Sequence, residues 1–537
     1  MQEMSENPVQ RRRSGSPPAY GIIYNWDGAP LHYSEYPQSV EQFLQKVYAP
    51  LENTQVGALF WCVGVHEAEW PSETMEVVGD SVNRVYQSVV GMRHAENVRA
   101  MFERGENPYV ALIERGHDMG TDVYTSIRMN DNHFYGILPE DMAGATKSAL
   151  TQLRKDHPEW CLGPDQVPEQ RGMGSWNFAI PEVREHRLQH ITEACRLADW
   201  DGVELDWQRH AFHLPENEGY RLRYALTDLQ RAVRRMTEEI AQERGRPFYV
   251  AVRVATTLEA CRRIGYDVET WVKEELCDIV IPAGNSGTDP GVEVEKFKDL
   301  TKGTEAKVYG GLDSLGRQSA RRLGPQKAWK DAWVCATANG YWARGADGMY
   351  IFNWHGNEQT WRALLTTIGS ADTLKCTDKV YAAIHRGPPS TEVPGQGAVN
   401  DRIHGETAVI LYPTLTNDGP TFHVPAYDPV VEEATAGSLK SVELQVELEH
   451  FSPTDQVAVT LDGKDLGPPA IRNAAAEDAN DPSDVSENSW LVWPLKPEQI
   501  DRGQHYVQVC LVKRDARLRS PLVVGHVEIY VNYKSLN

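Results

Sequence analysis

Residues 201–207 read DGVELDW, and this stretch carries the signal from which the fold is predicted. Glu204 and Asp206 lie two positions apart, so in a β-strand both carboxylates share one face while Val203 and Leu205 share the other. Seven further short runs of apolar, β-branched or aromatic residues each end in polar residues, and a helical or mixed segment follows. They are YGIIYNWD (20–27), GALFWCVGV (57–65), TDVYTSIRMN (121–130), FYVAVRVATT (248–257), CDIVIPAG (277–284), KVYGGLDS (307–314) and DGMYIFNW (347–354).

Eight strands that alternate with helices predict a parallel sheet, and eight is the number of units in a (β/α)8 barrel of the TIM type. No GxGxxG follows the first run, which disfavours a dinucleotide-binding sheet. After about residue 370 the pattern changes to spaced strand runs such as SVELQVELE and VVGHVEIYVNY, which predict an all-β, sandwich-like domain. The predicted α/β chain comprises a disordered leader (1–19), the catalytic barrel (20–372), a linker (373–402) and a C-terminal β-sandwich domain (403–537).

Charge and cysteine usage narrow the possible functions. The formal net charge of −22 repels phosphate backbones and anionic lipid heads, which disfavours nucleic-acid and membrane partners. The eight cysteines are scattered singly without a CxxC pair, and the first twenty residues contain no apolar segment of a secretion signal. We therefore expect a reduced, cytoplasmic protein, and no cofactor or metal is predicted.

The polar residues that close each run are the candidates for chemistry, because the active site of this barrel lies at the C-terminal ends of its strands. The densest group is SIRMNDNHF (126–134), which places Arg128, Asn130, Asp131 and His133 within six residues. Histidine exchanges protons readily near neutral pH, and the planar guanidinium of an arginine suits a carboxylate. The other candidates are Asp27 after strand one, Glu204, Asp206 and Arg209 at strand four, Arg253 on strand five and Asn353 after strand eight.

The two acids of strand four allow two interpretations. Burying Glu204 and Asp206 in a barrel mouth is costly unless they are paired or functional, so they either form salt bridges that shape the site or take part in chemistry. DGVELDWQ also resembles the D-x-x-D-x-D-x-E strand of the barrel chitinases. Gln208 stands where that family has its acid, and an amide cannot supply the proton. Chitinase-type catalysis is therefore disfavoured.

A broader resemblance covers most of residues 20–370. The segment WNFAIPEVREHRLQHITEACRLADWDGVELDWQR (176–209) resembles the glycoside-hydrolase-like barrels of bacteria. More narrowly, Asp27, the pair Arg128 and His133, Arg209 and Asn353 are similar in position to residues of the inverting, barrel-fold exo-sialidases of glycoside hydrolase family 156.

The family resemblance implies an enzyme that releases terminal sialic acid from a sialylated glycan or another glycoside, and it implies a homodimer. Asp27 and His133 would be the catalytic pair, with Asp27 as the base. The sugar carboxylate helps to offset the positive charge that develops at the anomeric carbon, and arginines hold that carboxylate in place. The predicted substrate-binding residues are Arg128, Asn130, Asp131, Glu204, Asp206, Arg209, Arg253 and Asn353.

Three other functions stay open at this point. The first is a glycosidase for a different sugar, with Asp206 as nucleophile or base and Glu204 or Glu259 as its partner. The second is a metal-dependent hydrolase with ligands among His66, Asp131, His133 and Asp313, although their spacing is not typical of a metal site. The third is a non-catalytic sugar-binding barrel, which Gln208 favours.

Overall fold

The structure is a computed structural model, and a limited set of ranges is described. The described residues are 16–26, 33–134, 136–146, 150–167, 172–284, 288–313, 327–354, 358–383, 407–416, 418–473 and 488–534. Within these ranges no helix combines the length and apolar character needed to span a bilayer.

Eight parallel strands close into a barrel, which confirms the predicted fold class. Each strand pairs with the next, and β1 closes the barrel against β8. All eight strands lie within the predicted runs, apart from β2, which begins one residue earlier. They are β1 (Ile22–Trp26), β2 (Val56–Cys62), β3 (Asp122–Arg128), β4 (Gly202–Asp206), β5 (Tyr249–Val254), β6 (Ile279–Pro282), β7 (Lys307–Asp313) and β8 (Gly348–Phe352).

Helices surround the barrel and bury their apolar faces against it. One helix begins at Pro181, a position that suits proline because a first-turn residue would leave its N–H unpaired. The helices of the barrel region are α1 (Val40–Tyr48), α2 (Val89–Glu103), α3 (Pro108–Asp118), α4 (Gln152–Asp156), α5 (Pro181–Arg196), α6 (Gly219–Arg244), α7 (Leu258–Ile264), α8 (Val268–Lys273), α9 (Val294–Leu300), α10 (Lys327–Ala343), α11 (Glu358–Leu365) and α12 (Ala371–Leu374). A further helix, α13 (Val430–Ala436), packs in the C-terminal region.

The side chains of β4 alternate between two sides of the strand, as predicted. Val203 and Leu205 belong to the large apolar core between the strands and the helices. Glu204 and Asp206 point into the barrel, where a second core of mainly aromatic and small side chains fills the lower layers. Polar side chains therefore gather in the upper part of the barrel, towards the C-terminal strand ends.

The C-terminal region forms two antiparallel sheets, as predicted. One sheet has the order β10-β18-β12-β16-β15 with β9 beside β18, and the other has the order β11-β17-β13-β14. The strands are β9 (Lys379–Ala382), β10 (Val409–Leu411), β11 (Thr421–Ala426), β12 (Leu439–Glu449), β13 (Gln456–Leu461), β14 (Lys464–Asp465), β15 (Ala470–Asn473), β16 (Asn488–Pro494), β17 (Gly503–Lys513) and β18 (Leu522–Tyr533).

Two predicted boundaries need correction. The linker prediction (373–402) includes β9, which pairs with β18 because KVYA supplies the short apolar run that completes the sheet edge. The leader prediction (1–19) includes residues 16–19, whose carbonyls accept hydrogen bonds at the N-terminal end of the barrel. Tyr249 Oη donates to Ser16 O at 3.3 Å, and Tyr309 Oη donates to Pro18 O at 3.5 Å. Residues 1–15 and 384–406 lie outside the described ranges.

Candidate active site

The mouth of the barrel contains a sealed ion network on β4, β5 and β7. Arg253 Nη1 donates to both carboxylate oxygens of Asp206 at 3.1 Å, and Nη2 donates to Asp313 at 2.9 Å and to Gly284 O at 2.8 Å. The three charged side chains have 0% exposed surface. Asp206 also accepts the backbone N–H groups of Gln208 and Arg209, so it fixes the start of the loop after β4.

Glu204 lies one layer deeper and is surrounded by donors. Asn25 Nδ2, Ser126 Oγ and Tyr350 Oη donate to its carboxylate at 2.6, 2.5 and 2.5 Å. Burial, followed by the nearby negative charge of Asp206, raises the pKa of Glu204 to about 7 despite these donors. Glu204 is therefore a candidate proton store inside the barrel, but it has no exposed surface.

His133 is held at the open edge of the mouth by Asp131. The Asp131 carboxylate accepts the His133 backbone N–H at 3.1 Å and also contacts His133 Nδ1. Its other oxygen accepts from Arg128 Nη1 at 2.8 Å. The His133 side chain is 52% exposed, whereas that of Asp131 is 1% exposed. A buried carboxylate thus orients an accessible imidazole, as in the histidine and aspartate of a catalytic triad.

The surroundings keep the Asp131 carboxylate ionised. Burial alone would raise its pKa, but the hydrogen bond from His133 and the charge of Arg128 outweigh burial and hold the pKa of Asp131 well below its usual range. With Nδ1–H directed at Asp131, His133 Nε2 is the nitrogen that remains for chemistry. Arg209 Nη2 approaches this Nε2 at 3.2 Å and donates to it.

Three guanidinium groups surround the ring of Phe352 at the end of β8. Their carbon atoms lie 4.0 Å (Arg253), 5.8 Å (Arg128) and 5.9 Å (Arg209) from the ring centroid. Arg253 and Arg128 are buried beside carboxylates, whereas Arg209 is half-buried, so Arg209 contributes the most accessible positive charge of the three. In a chain of net charge −22, this local grouping favours an anionic ligand.

Four of the predicted substrate-binding residues are buried. Asn130 is fully buried, and its amide holds two loops together: Nδ2 donates to Trp176 O and Phe212 O, and Oδ1 accepts from Trp176 N. Glu204, Asp206 and Arg253 likewise have no exposed surface. These four residues shape and support the mouth, because a side chain without exposed surface cannot touch a ligand in this conformation.

The other predicted residues have different positions. Arg128, Asp131, His133 and Arg209 come together as one connected cluster. Asn353 is half-buried, follows Phe352 directly and adopts a left-handed backbone conformation with φ of 58°, which asparagine tolerates better than most residues. Asp27 lies outside the described residues.

His210 and Phe352 belong to the site and were missed by sequence reasoning. His210 Nδ1 accepts the Asn132 backbone N–H at 3.0 Å, and its ring packs edge-on against His133 with 5.0 Å between centroids. Burial lowers the pKa of His210 well below its usual range, so the ring stays neutral and supports His133 by packing. Phe352 was detectable from alternation on β8, because it lies two positions from the inward-facing Tyr350.

The same cluster contains a possible set of metal ligands. Asp131, His133 and His210 offer one ligand atom each within 4.8 Å of one another. His210 Nδ1 already accepts a backbone N–H, and Asp131 is engaged by Arg128. His66 contacts the Asp131 carbonyl through Nε2, and Asp313 binds Arg253, so neither completes the set proposed from the sequence. Two nearby guanidinium groups also oppose a cation at this position.

No protein-family model matches the chain, and no curated protein matches it. The chain is similar to the solved structure of a cycloisomaltooligosaccharide glucanotransferase from Paenibacillus sp., with 9% identity, a TM-score of 0.31 and coverage of 94% of this chain and 57% of that one. It is also similar to the GH36 alpha-galactosidase AgaA from Geobacillus stearothermophilus, with 11% identity, a TM-score of 0.34 and coverage of 96% and 56%. A third is the alpha-galactosidase TtGalA from Thermus thermophilus, with 14% identity, a TM-score of 0.32 and coverage of 71% and 65%.

The chain spans less than two thirds of the length of these three structures. These distant similarities assign no activity to the chain.

Proposed function

We propose that the protein is a glycoside hydrolase that releases a terminal sialic acid with inversion at the anomeric carbon. The observation that carries the proposal is the placement of His133. Its ring is half exposed at the barrel mouth, its Nδ1 is held by the buried Asp131, and its Nε2 meets the guanidinium of Arg209. An acid–base group therefore lies beside a binding group for a carboxylate, which is the pairing that an acidic sugar requires.

Arg209 links substrate binding to proton transfer. In the structure it donates to His133 Nε2. We infer that the sugar carboxylate draws this guanidinium away, because a bidentate ion pair between guanidinium and carboxylate is stronger than a single hydrogen bond to an imidazole. His133 Nε2 is then available to the leaving group.

The proposed reaction breaks the bond between the anomeric carbon and the glycosidic oxygen. Once Arg209 has moved, His133 Nε2 takes a proton from solvent, and Asp131 stabilises the resulting imidazolium. His133 then gives its Nε2 proton to that oxygen. A water adds to the opposite face of the sugar and loses its proton to a base, a role that we assign to Asp27 from the family resemblance. The products are the free sugar with inverted configuration and the released alcohol, and no metal or cofactor takes part.

Proton NMR of the released sugar tests the proposal. An aryl glycoside of sialic acid is incubated with the wild type, Asp27→Ala, His133→Ala and the control His423→Ala, which changes an exposed histidine in the C-terminal domain. We expect the inverted anomer in the first minutes from the wild type and the control, and little release from the other two. Release of the retained anomer, or full activity in His133→Ala, would contradict the proposed mechanism.

The same assay separates the alternatives. Turnover of neutral aryl glycosides in place of sialosides would favour a glycosidase that uses Glu204 and Asp206, against which their complete burial argues. Activity that a chelator abolishes and zinc restores would favour a metal site at Asp131, His133 and His210. Binding of sialic acid without turnover would favour a non-catalytic barrel.

A further inference from the structure

Two buried arginines lie behind the loop wall of the candidate active site. Arg154 on α4 is 0% exposed, and Arg187 on α5 is 1% exposed. In the part of the chain that the structure describes, neither forms a salt bridge with a carboxylate. A buried cation without an opposite charge destabilises the folded protein. We therefore expect an anionic group beside the two guanidinium groups.

The contacts of the two guanidinium groups leave several donors unused. Arg154 lies between the rings of Phe134 and Trp176, at 4.6 and 4.3 Å from their centroids, and its Nη1 lies 3.4 Å from His66 Nε2. Its Nε and Nη2 are buried without a hydrogen-bond partner among the described residues. Arg187 Nη1 donates to Val65 O at 3.1 Å, and its Nε is likewise buried without a described partner.

The two arginines belong to one site. They contact the consecutive residues Val65 and His66, and the charge of Arg154 lowers the pKa of Arg187. Burial and then this repulsion lower the pKa of Arg187 to about 9, and burial lowers that of Arg154 to about 10. Both values lie above neutral pH, so two like charges are buried together.

No other described group neutralises the pair. Burial raises the pKa of the neighbouring Cys161 thiol to about 11, so the thiol carries no charge at neutral pH. Asp131 interacts electrostatically with both arginines, but its carboxylate already binds Arg128 and His133. Burial keeps His66 and His190 neutral, and one ring nitrogen of each is buried without a described partner.

We propose that Arg154 and Arg187 bind a small monovalent anion, with chloride as the ligand, inside the wall of the active site. The buried N–H groups supply donors, and the described acceptor that Arg154 meets besides His66 is the weak, uncharged thiol of Cys161. A spherical halide needs only donors and is far less costly to dehydrate than phosphate or sulfate in a site lined by aromatic rings. The anion would compensate the two charges that the chain itself leaves unbalanced.

The site is connected to the proton-transfer group. His66, which touches Arg154, binds the backbone carbonyl of Asp131, and Asp131 orients His133. Bound chloride would therefore stabilise the position of His133. This consequence rests on the proposed function, whereas anion binding does not and is measured without substrate.

Thermal unfolding in sodium chloride and in sodium gluconate of equal ionic strength tests the binding. We expect chloride to raise the Tm of the wild type saturably, by about 3–6 °C, because a ligand that binds only the folded state stabilises it. Arg187→Met should lose this rise, and the exposed control Arg104→Met should retain it. A Tm that depends on ionic strength alone in the wild type would overturn the proposal.

Bromide replacement gives a second measurement that needs no variant. Crystals of the wild-type protein grown without chloride and soaked in sodium bromide should show an anomalous peak within hydrogen-bond distance of Arg154 and Arg187. Bromide peaks confined to the protein surface would also overturn the proposal. Neither readout depends on turnover, so failure of the sialidase proposal would leave the anion result interpretable.

Discussion

The barrel mouth contains two networks of carboxylates and cations, one fully buried and one that reaches solvent. On β4, β5 and β7, Asp206, Arg253 and Asp313 are sealed with 0% exposed side-chain surface. After β3, Asp131 is equally buried, but it presents His133 with a side chain that is 52% exposed. Each network pairs carboxylate with cation, and only the second ends in an accessible group that can exchange a proton.

This difference assigns different tasks to the two networks. In the sealed network one guanidinium binds two carboxylates, and Asp206 also accepts two backbone N–H groups, so the network fixes the strand ends and the start of the loop after β4. In the open network the buried aspartate orients a histidine that reaches solvent. Changes to the sealed network should therefore act on stability, and changes to the open network should act on rate.

The largest expected effect comes from Arg253→Met. Removing the cation leaves Asp206 and Asp313 buried without a counter-charge, and we expect the free energy of unfolding to fall by about 3–5 kcal/mol. The control is Arg262→Met, which removes an exposed ion pair with Glu269 and should cost about 0–1 kcal/mol. Urea unfolding followed by tryptophan fluorescence measures both, and equal losses in the two variants would contradict the distinction.

The second effect comes from His133→Ala in the open network. We expect kcat for the sialoside to fall by about 10²- to 10⁴-fold, because a group that transfers a proton in the transition state is lost. The Tm should change little, since the side chain is half exposed. A strong fall in Tm with an unchanged kcat would mean that the open network serves stability. This result would contradict the distinction between the two networks.

The sequence predicted the barrel well because hydrophobic runs and strand-end polarity are local signals. The pairing of Arg253 with both Asp206 and Asp313 was not predictable in detail, because these residues come from three strands and meet only through the closure of the barrel. Asn130 is a second residue whose contacts could not be predicted. Its position at a strand end is typical of a ligand-binding residue, yet its partners are backbone groups near residues 176 and 212 that no local pattern reveals.

Asp131→Asn sharpens the comparison further, because it changes the open network without removing its histidine. The amide keeps the shape but loses the charge that fixes the His133 Nδ1–H and stabilises the imidazolium. We expect kcat to fall by about 10- to 100-fold, less than for the loss of the imidazole itself. The alkaline limb of the kcat profile should move to lower pH, which a purely structural residue would not cause. An unchanged profile would contradict the orienting role.

The smallest effect concerns Glu204, which lies beneath both networks and whose pKa is raised from its ordinary value near 4.5 to about 7. Between these pH values the folded protein holds a proton that the unfolded chain releases. The stability from protonated Glu204 is therefore complete below about pH 4.5 and is lost as the pH rises through about 7.

Glu204→Gln removes this titration while its carbonyl can still accept from Asn25 and Ser126 and its amide can donate to the Tyr350 oxygen. Relative to the wild type, we expect the variant to gain on the order of 1 kcal/mol in unfolding free energy between pH 5 and pH 8. The exposed control Glu140→Gln should show no such trend. Parallel stability curves for Glu204→Gln and the wild type would mean that Glu204 stays ionised throughout, supported by its three donors in the manner of the sealed network above it.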